Sequence, residues 1–302
     1  MLTPQVHTLD LNFQSRPGTI AVYLIPHAQG GILVETGPGS TIPALVEALA
    51  GHNLRPGDIS DVFLTHIHLD HAGAAGWLAR QGARVHVHPR GAPHMLDPQR
   101  LIASASMIYG DRMQTLWGDF LAVPEDRLSV LQDEQVVDVN GLTIQAIDSP
   151  GHAKHQYAYL VEDICFSGDI GGIRLGGQPY ISLPTPPPDL NLEQWRTSIQ
   201  RLQARQPARI APTHFGVYPD APWHLQTVAQ MLADLNAWIE QVMPTGPTIE
   251  DLQQLYLAFV RPRAIHSGLD ASAVEAQQVA NPPSTSADGI YRYWHKYRLP
   301  NG

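Results

Sequence analysis

The sequence predicts a mixed α/β fold, built as a layered sandwich with an added helical region at its carboxyl end. Short runs of β-branched residues alternate with helical segments between residues 6 and 147. Turn residues close several of these runs into antiparallel pairs, which favours packed sheets over one doubly wound sheet. Beyond His214 the composition becomes helical, and 43 % hydrophobic residues in a chain of 302 is ample for a buried core.

The elements of the first half follow from their local patterns. The runs at 19–25 and 31–36 are separated by PHAQG and predict a hairpin. The pattern then predicts a helix at 40–50, a buried strand at 61–65, a short helix that ends at Gly82, and the strand ARVHVH. Residues 98–120 form a helix-prone insertion, for which a lid over a site is one interpretation.

The second half places strands before helices. Five runs predict successive short strands, namely RLSVL, QVVDV, LTIQAI, YAYLV and DICFS. The segment ARIAPTH predicts a last strand that leads into a histidine. The loop at 170–189 is rich in glycine and proline and is either a linker or a site wall. Apolar faces then predict two helices, at Leu192, Trp195, Ile199 and Leu202, and at Leu225, Val228, Leu232, Leu235, Ile239 and Val242. Thr248 and Asp251 predict the cap of a further helix that runs through Phe259. We therefore expect one domain at 1–219 and a helical extension at 220–302 packed on it.

The composition limits the kinds of binding partner and cell compartment that we expect for this protein. The formal net charge is −9 without a block of Lys or Arg, which disfavours nucleic acid and leaves a small-molecule substrate. No run approaches the roughly 18 apolar residues of a membrane span, and the N-terminus lacks a signal-peptide pattern, so we expect a soluble protein. Cys165 is the single cysteine, which excludes an intrachain disulfide and favours the cytoplasm. For the stripe at 225–242, a homodimer contact is the alternative to packing on its own domain.

The stretch THIHLDHAG, residues 65–73, carries the chemistry. His66 and His68 follow a predicted strand and point the same way if the chain stays extended, so one ion could take both. Asp70 and His71 lie one turn further on, where they could serve a second ion. Neutral imidazole and carboxylate together suit zinc, iron or manganese. A polar turn that caps the next helix is the alternative.

Further candidate ligands stand at later strand ends. They are His152 in SPGHAKH, Asp169 in FSGD and His214 in APTHFG. Each alone is more often a turn residue than a ligand. Together with the first group they complete two ion sites.

These motifs in this order resemble the metallo-β-lactamase superfamily, in its glyoxalase II-like or lactonase-like branch with a C-terminal helical extension. The resemblance covers about residues 19–216. It implies a four-layer αββα sandwich and two divalent metal ions. Zinc is the expected metal, and iron or manganese are the alternatives. It also implies the ligand sets: His66, His68 and His152 for the first ion, Asp70, His71 and His214 for the second, with Asp169 bridging both.

The resemblance further implies a hydrolase. A hydroxide that bridges two metal ions would attack an ester-like bond, a thioester or a lactone, with Asp70 and Asp169 as catalytic residues. Asp70 would orient the hydroxide and pass its proton to the leaving group. β-Lactam cleavage is disfavoured, because Asp169 is present and Cys165 lies four residues before it. The alternatives are a persulfide dioxygenase with one iron and a non-catalytic metal-binding protein.

Candidate substrate contacts come from segments beside the ligands. They are Tyr109, His155, Arg174 and Phe215. A packed surface aromatic, a turn cap and a solvated loop arginine are the alternatives for the first three, and Phe215 is expected to wall the site. Glu35 and Thr36 are expected to support the ligand loops.

Overall fold

The computed structural model describes residues 5–299, which divide into two compact units. The first unit comprises residues 5–148 and 155–167, and the second comprises residues 149–154 and 168–299. Among the described residues, no helix is both long and apolar enough to cross a membrane. The sequence predicts a domain boundary at 219/220 from a change in composition, whereas these units are defined by spatial contacts. The boundary therefore stays a prediction.

A six-stranded sheet forms the centre of the first unit. Its strands lie side by side in chain order: β1 (His7–Asp10), β2 (Ala21–His27), β3 (Gly30–Val34), β4 (Ile59–Phe63), β5 (Arg84–Val87) and β6 (Leu128–Val130). Strands β1 to β3 are antiparallel, as the predicted hairpin requires, while β3 to β6 run parallel. Parallel neighbours end at the same edge of a sheet, so the turn after β4 starts at that edge.

Helices cover one face of this sheet. They are α1 (Ile42–Gly51), α2 (Leu69–Ala72), α3 (Ala75–Gln81), α4 (Ala92–Leu96), α5 (Gln99–Tyr109) and α6 (Met113–Trp117). Leu45, Leu49 and Leu78 are fully buried against sheet residues such as Val62. The predicted end of the short helix at Gly82 is confirmed, because this glycine closes α3 with a φ of 120°.

A second, antiparallel set of strands packs on the other face. It contains β7 (Val136–Val139), β8 (Leu142–Asp148), β9 (Tyr157–Val161) and β10 (Ile164–Phe166), which pair in the order β10-β9-β8-β7. The Tyr159 hydroxyl donates to the Leu64 carbonyl at 2.8 Å, and its ring meets the edge of Phe63. The predicted mixed α/β sandwich is therefore confirmed.

Helices dominate the second unit. Its elements are α7 (Leu192–Ala204), β11 (Arg209–Ala211), α8 (Ala221–Val242), α9 (Ile249–His266), α10 (Ala271–Ala280) and α11 (Pro283–Tyr297). The four apolar positions predicted for α7 are all buried, and the Thr248 side chain caps α9 as predicted. Helix α9 runs past Phe259 to His266. Helices α10 and α11 lie in the region predicted to be a helical extension, for which the sequence analysis gives no separate helix bounds.

The helices also hold the proline-rich part of the long loop. The carbonyl of Leu183 accepts hydrogen bonds from Asn281 at 3.0 Å and Tyr256 at 3.5 Å. A Cβ on Gly289 of α11 would lie 1.9 Å from the Thr185 carbonyl oxygen, so only glycine allows this approach. This part of the loop is a fixed wall of the second unit.

Candidate metal centre

The turn after β4 brings His66 and His68 together. His66 Nε2 lies 2.9 Å from His68 Nδ1, and His66 Nδ1 lies 3.1 Å from the Thr65 hydroxyl. The hydroxyl donates to Glu35, so it accepts the Nδ1 hydrogen of His66. His66 therefore directs its Nε2 lone pair toward the same point as His68 Nδ1, as the period-two pattern predicts.

Asp70 and His71 form a second group in the first turn of α2. His71 Nδ1 donates to Glu35 at 3.0 Å, which leaves Nε2 as its lone-pair nitrogen. That nitrogen lies 3.5 Å from Asp70 Oδ2, and the Asp70 side chain is 22 % exposed while His71 is fully buried. An imidazole nitrogen and a carboxylate oxygen at this spacing suit a shared cation.

Glu35 supports both groups. Its carboxylate is fully buried and accepts hydrogen bonds from the Thr65 amide, the Thr65 hydroxyl and His71. Its oxygens lie within 4.8 Å of the His66 and His71 nitrogens, which makes Glu35 itself a candidate ligand by distance. Three donors already occupy this carboxylate, which fits the supporting role that the sequence predicts for Glu35.

Thr36 holds the backbone of the same turn. Its amide and its hydroxyl both donate to the His71 carbonyl at 2.8 Å. These contacts, with those of Glu35, are the supporting contacts that the sequence predicts for the two residues.

The second unit gathers the other three candidate ligands. His152 Nε2 lies 3.4 Å from Asp169 Oδ2, and His214 Nε2 lies 3.5 Å from Asp169 Oδ1. The His152 Nδ1 hydrogen is donated to the Pro184 carbonyl at 2.9 Å. One carboxylate thus presents a separate oxygen to each of two imidazoles, which is the arrangement that a bridging carboxylate needs.

Helix α7 fixes the backbone beside two of these residues, Asp169 and His152. The Trp195 indole donates to the Ile170 carbonyl at 2.8 Å, directly after Asp169. A Cβ on Gly151 would lie 2.3 Å from the Trp195 Cα, and the residue has a φ of 148°, so position 151 requires glycine. The sequence predicts Trp195 as a buried residue, but apolar periodicity carries no information about the direction of its N–H.

Helix α8 adds a second support. His224 is fully buried and its Nε2 donates to the Gly171 carbonyl at 2.8 Å. Burial above all, with a contribution from the nearby Arg174 charge, lowers the pKa of His224 to about 4. His224 is therefore neutral near pH 7 and holds the turn that carries Asp169.

Two of the predicted substrate contacts, His155 and Tyr109, lie in the first unit. The His155 ring is buried and its centroid lies 6.1 Å from that of His66 and 5.6 Å from that of His68. Tyr109 is half-buried with its ring against Trp117, and burial followed by the Asp70 charge raises its pKa to about 12. The Tyr109 hydroxyl therefore stays protonated near neutral pH.

The other two predicted contacts lie in the second unit. Arg174 is only 6 % exposed and binds Asp220 through two nitrogens at 2.7 and 3.0 Å, so it is not a solvated loop arginine. Phe215 is half-buried, and its amide donates to the Arg174 carbonyl at 3.2 Å. Burial raises the pKa of the Cys165 thiol to about 12, so the thiol is protonated near neutral pH.

The donor chemistry fits divalent metal ions. The candidate ligands are neutral imidazole nitrogens and carboxylate oxygens, and protein acceptors hold the second nitrogen of His66, His71 and His152. This is how metal-binding histidines are usually oriented. The set suits zinc, iron and manganese alike.

A two-sheet sandwich with clustered histidine and aspartate side chains after its strands defines a class of metal-binding folds. Residues 15–214 match the sequence model of the Lactamase_B family, described as the metallo-β-lactamase superfamily. The match covers well over half of the chain. This protein therefore belongs to the metallo-β-lactamase superfamily, as its motifs suggest.

Individual relatives agree with this assignment. A metallo-β-lactamase fold-containing protein of Sulfurisphaera tokodaii is 27 % identical over 160 residues, which are 52 % of this chain and 60 % of the relative. An atrochrysone carboxyl ACP thioesterase of Aspergillus fumigatus is 28 % identical over 151 residues, 49 % of this chain and 38 % of the relative. The chain thus spans about 40 to 60 % of the length of these relatives. The structure of a metallo-β-lactamase family protein of Thermus thermophilus has a TM-score of 0.68 at 20 % identity, covering 98 % of this chain and 95 % of that one, which shows a shared fold.

We expect Glu35→Gln to weaken metal binding about 10- to 100-fold while the protein stays folded, because the amide no longer accepts from all three donors. Titration of metal-free protein with zinc in competition with a chromophoric chelator measures this. Glu47→Gln, on the exposed face of α1, is the matched control. Wild-type affinity in Glu35→Gln would show that the carboxylate does not orient the histidines.

We also expect the buried His224 to make stability depend on pH. Its folded pKa of about 4 lies below the ordinary 6.5, so the unfolded chain binds more protons between these values. Stability is therefore lost as pH falls through this window, by roughly 2 to 3 kcal/mol. Urea unfolding of chelator-treated protein at pH 7 and pH 4 measures the loss, which should be smaller by this amount in His224→Gln. The exposed His266→Gln is the control, and equal losses in all three proteins would contradict the effect.

Proposed function

We propose that this protein is a hydrolase that uses two divalent metal ions to cleave an ester-like bond in a small substrate. Zinc is the first candidate for the metal. A thioester is the first candidate and a lactone the second. The observation that carries the proposal is the Asp169 carboxylate, which directs Oδ2 to His152 and Oδ1 to His214. A carboxylate shared between two ligand sets is what a binuclear hydrolytic centre needs.

The proposed ligand sets are those that the motifs imply. One ion takes His66, His68 and His152, and the other takes Asp70, His71 and His214, with Asp169 common to both. Support comes from the lone-pair nitrogens of His66 and His68, 2.9 Å apart, and from Asp70 beside His71 Nε2. Family membership supports the same residues.

Bound divalent ions would supply Lewis acidity, lowering the pKa of water toward about 7 and polarising the scissile carbonyl. The chain's own residues then orient the attack and move the proton. The Asp70 carboxylate, partly exposed, would accept the proton of the attacking water and deliver it to the leaving sulfur or oxygen. The His155 ring beside His66 would donate a hydrogen bond to the substrate oxygen, and Tyr109 would line the pocket near Asp70.

The choice of a thioester is supported by the relatives. One of them is named as a thioesterase that acts on an acyl carrier protein. A second thioesterase-named relative, of Paecilomyces divaricatus, is 25 % identical over 204 residues, 66 % of this chain and 51 % of its own length. The matched stretches cover 38 % and 51 % of these two relatives, so their names support the thioester bond and no particular acyl group.

We expect the purified protein to bind two metal ions per chain, falling toward one in His214→Ala, and to hydrolyse S-acyl thioesters. Elemental analysis gives the first quantity, and release of free thiol from S-acyl-N-acetylcysteamines, beside a lactone series and a phosphodiester, gives the second. His266→Ala is the matched control, since this exposed histidine ends α9. A single iron unaffected by His214→Ala, with oxygen consumption on a glutathione persulfide, would replace the hydrolase by an oxygenase.

Asp70→Ala should reduce kcat for the best substrate about 10²- to 10⁴-fold, because it removes the proton carrier. The variant should keep its circular dichroism spectrum and its first metal ion. Asp111→Ala, an exposed acidic residue after α5, is the control. Near-normal turnover in folded, metal-loaded Asp70→Ala would contradict this role.

A further inference from the structure

Arg174 is tied to the peptide that carries His214. Its amide donates to the His214 carbonyl at 2.5 Å, and the Phe215 amide donates back to the Arg174 carbonyl at 3.2 Å. The Tyr218 hydroxyl also donates to the Arg174 carbonyl, at 2.6 Å. The backbone at residue 174 thus holds His214, which follows a strand of only three residues.

The Arg174 side chain is locked as firmly as its backbone. Two guanidinium nitrogens donate to the two Asp220 oxygens, and Nε donates to the Gln178 carbonyl at 3.1 Å. The guanidinium carbon lies 4.0 Å from the centroid of the Tyr218 ring and 4.7 Å from that of Trp223. A planar fork between two aromatic rings is a site that lysine cannot fill.

Asp220 connects this arginine to helix α8. It stands at the N-cap of α8, and hydrogen bonds from Arg174 hold the pKa of its carboxyl below the ordinary value. The first turn of the same helix carries His224, which holds the Gly171 carbonyl two residues after Asp169. The start of α8 therefore restrains both the Asp169 turn and the His214 loop.

We infer that Arg174 and Asp220 are a positioning pair, which sets the His214 ring against Asp169 and thereby sets the affinity for the ion that His214 binds. The inference rests on the proposed function only in taking Asp169 and His214 as metal ligands. It assigns Arg174 to the support of a ligand and not to the binding of a substrate carboxylate, because Asp220 already occupies the fork.

The direct contacts of the pair lie on the His214 side of the site. The backbone exchange with Arg174 involves His214, whereas His152 is held separately by the Pro184 carbonyl. His66 and His71 depend on Thr65 and Glu35. Loosening Arg174 should therefore weaken one of two metal affinities, whereas general destabilisation would weaken both.

The test uses Arg174→Lys and Asp220→Asn in the full chain. Lysine at position 174 keeps the positive charge but cannot bind both Asp220 oxygens with two nitrogens. Asparagine at position 220 keeps the size and shape of the side chain but loses the negative charge. We expect the weaker of two zinc affinities to fall about 10- to 100-fold in each variant, while the stronger stays within about twofold. Competition titration with a chromophoric chelator measures both, and Co²⁺ absorption follows the geometry of the second ion.

A control and a rescue separate positioning from stability. Arg298→Lys removes another arginine fork in the same unit, between Glu193 and Glu240, and should leave both affinities unchanged. Arg174→Ala leaves a slot between Tyr218 and Trp223, where low millimolar guanidinium should restore the second ion and ammonium should not. Activity should show a lower kcat at unchanged KM.

The outcomes are distinguishable. If wild-type protein binds fewer than two ions, the proposed ligand sets fail. If it binds two and both variants keep both affinities, or lose both together with a fall in melting temperature, the positioning role is wrong. Selective loss of one ion with rescue by guanidinium supports it.

Discussion

The buried carboxylate of Glu35 is the interaction on which the first half of the site depends. A buried charge is costly unless donors surround it, and here the donors are Thr65 and His71 on the ligand-bearing turn. Through the Thr65 hydroxyl the same carboxylate also orients His66. One side chain after β3 thus sets the lone-pair direction of two histidines that we assign to different ions. The turn after β4 cannot relax without leaving that carboxylate unsatisfied.

The second unit fixes its candidate ligands through the neighbouring backbone. Neutral donors on its helices hold backbone carbonyls beside Asp169. Trp195 donates to the Ile170 carbonyl, and His224 donates to the Gly171 carbonyl. Burial keeps the pKa of His224 near 4, so its hydrogen bond persists at neutral pH. These bonds fix the backbone next to Asp169 and leave its two oxygens directed at His152 and His214. Backbone held rigid beside a ligand keeps a metal site preorganised.

The sequence predicts the sandwich and the ligand positions because both follow from local patterns. Alternating β-branched runs mark the strands, and histidine or aspartate residues stand where those strands end. The supports are harder to foresee. Arg174 lies in a glycine-rich loop that suggests solvent, and its partner Asp220 is 46 residues away without a local cue. Helix α10 has little apolar periodicity, so tertiary packing decides it. Helix α11 does bury one face, with Ala287, Ile290 and Trp294 at helical spacing, and this pattern is a cue that the sequence prediction missed.

The helical region belongs to the support of the ligands, wherever a sequence boundary is drawn. Asn281 and Tyr256 hold the Leu183 carbonyl, and the neighbouring Pro184 carbonyl accepts the Nδ1 hydrogen of His152. Asp220 reaches His214 through Arg174. Residues after 219 therefore restrain ligands that lie before it, on two separate paths within one compact unit. If the assigned ligands bind metal as proposed, a change in these helices would alter metal binding without touching a ligand, and the extension would have a chemical role in addition to a structural one.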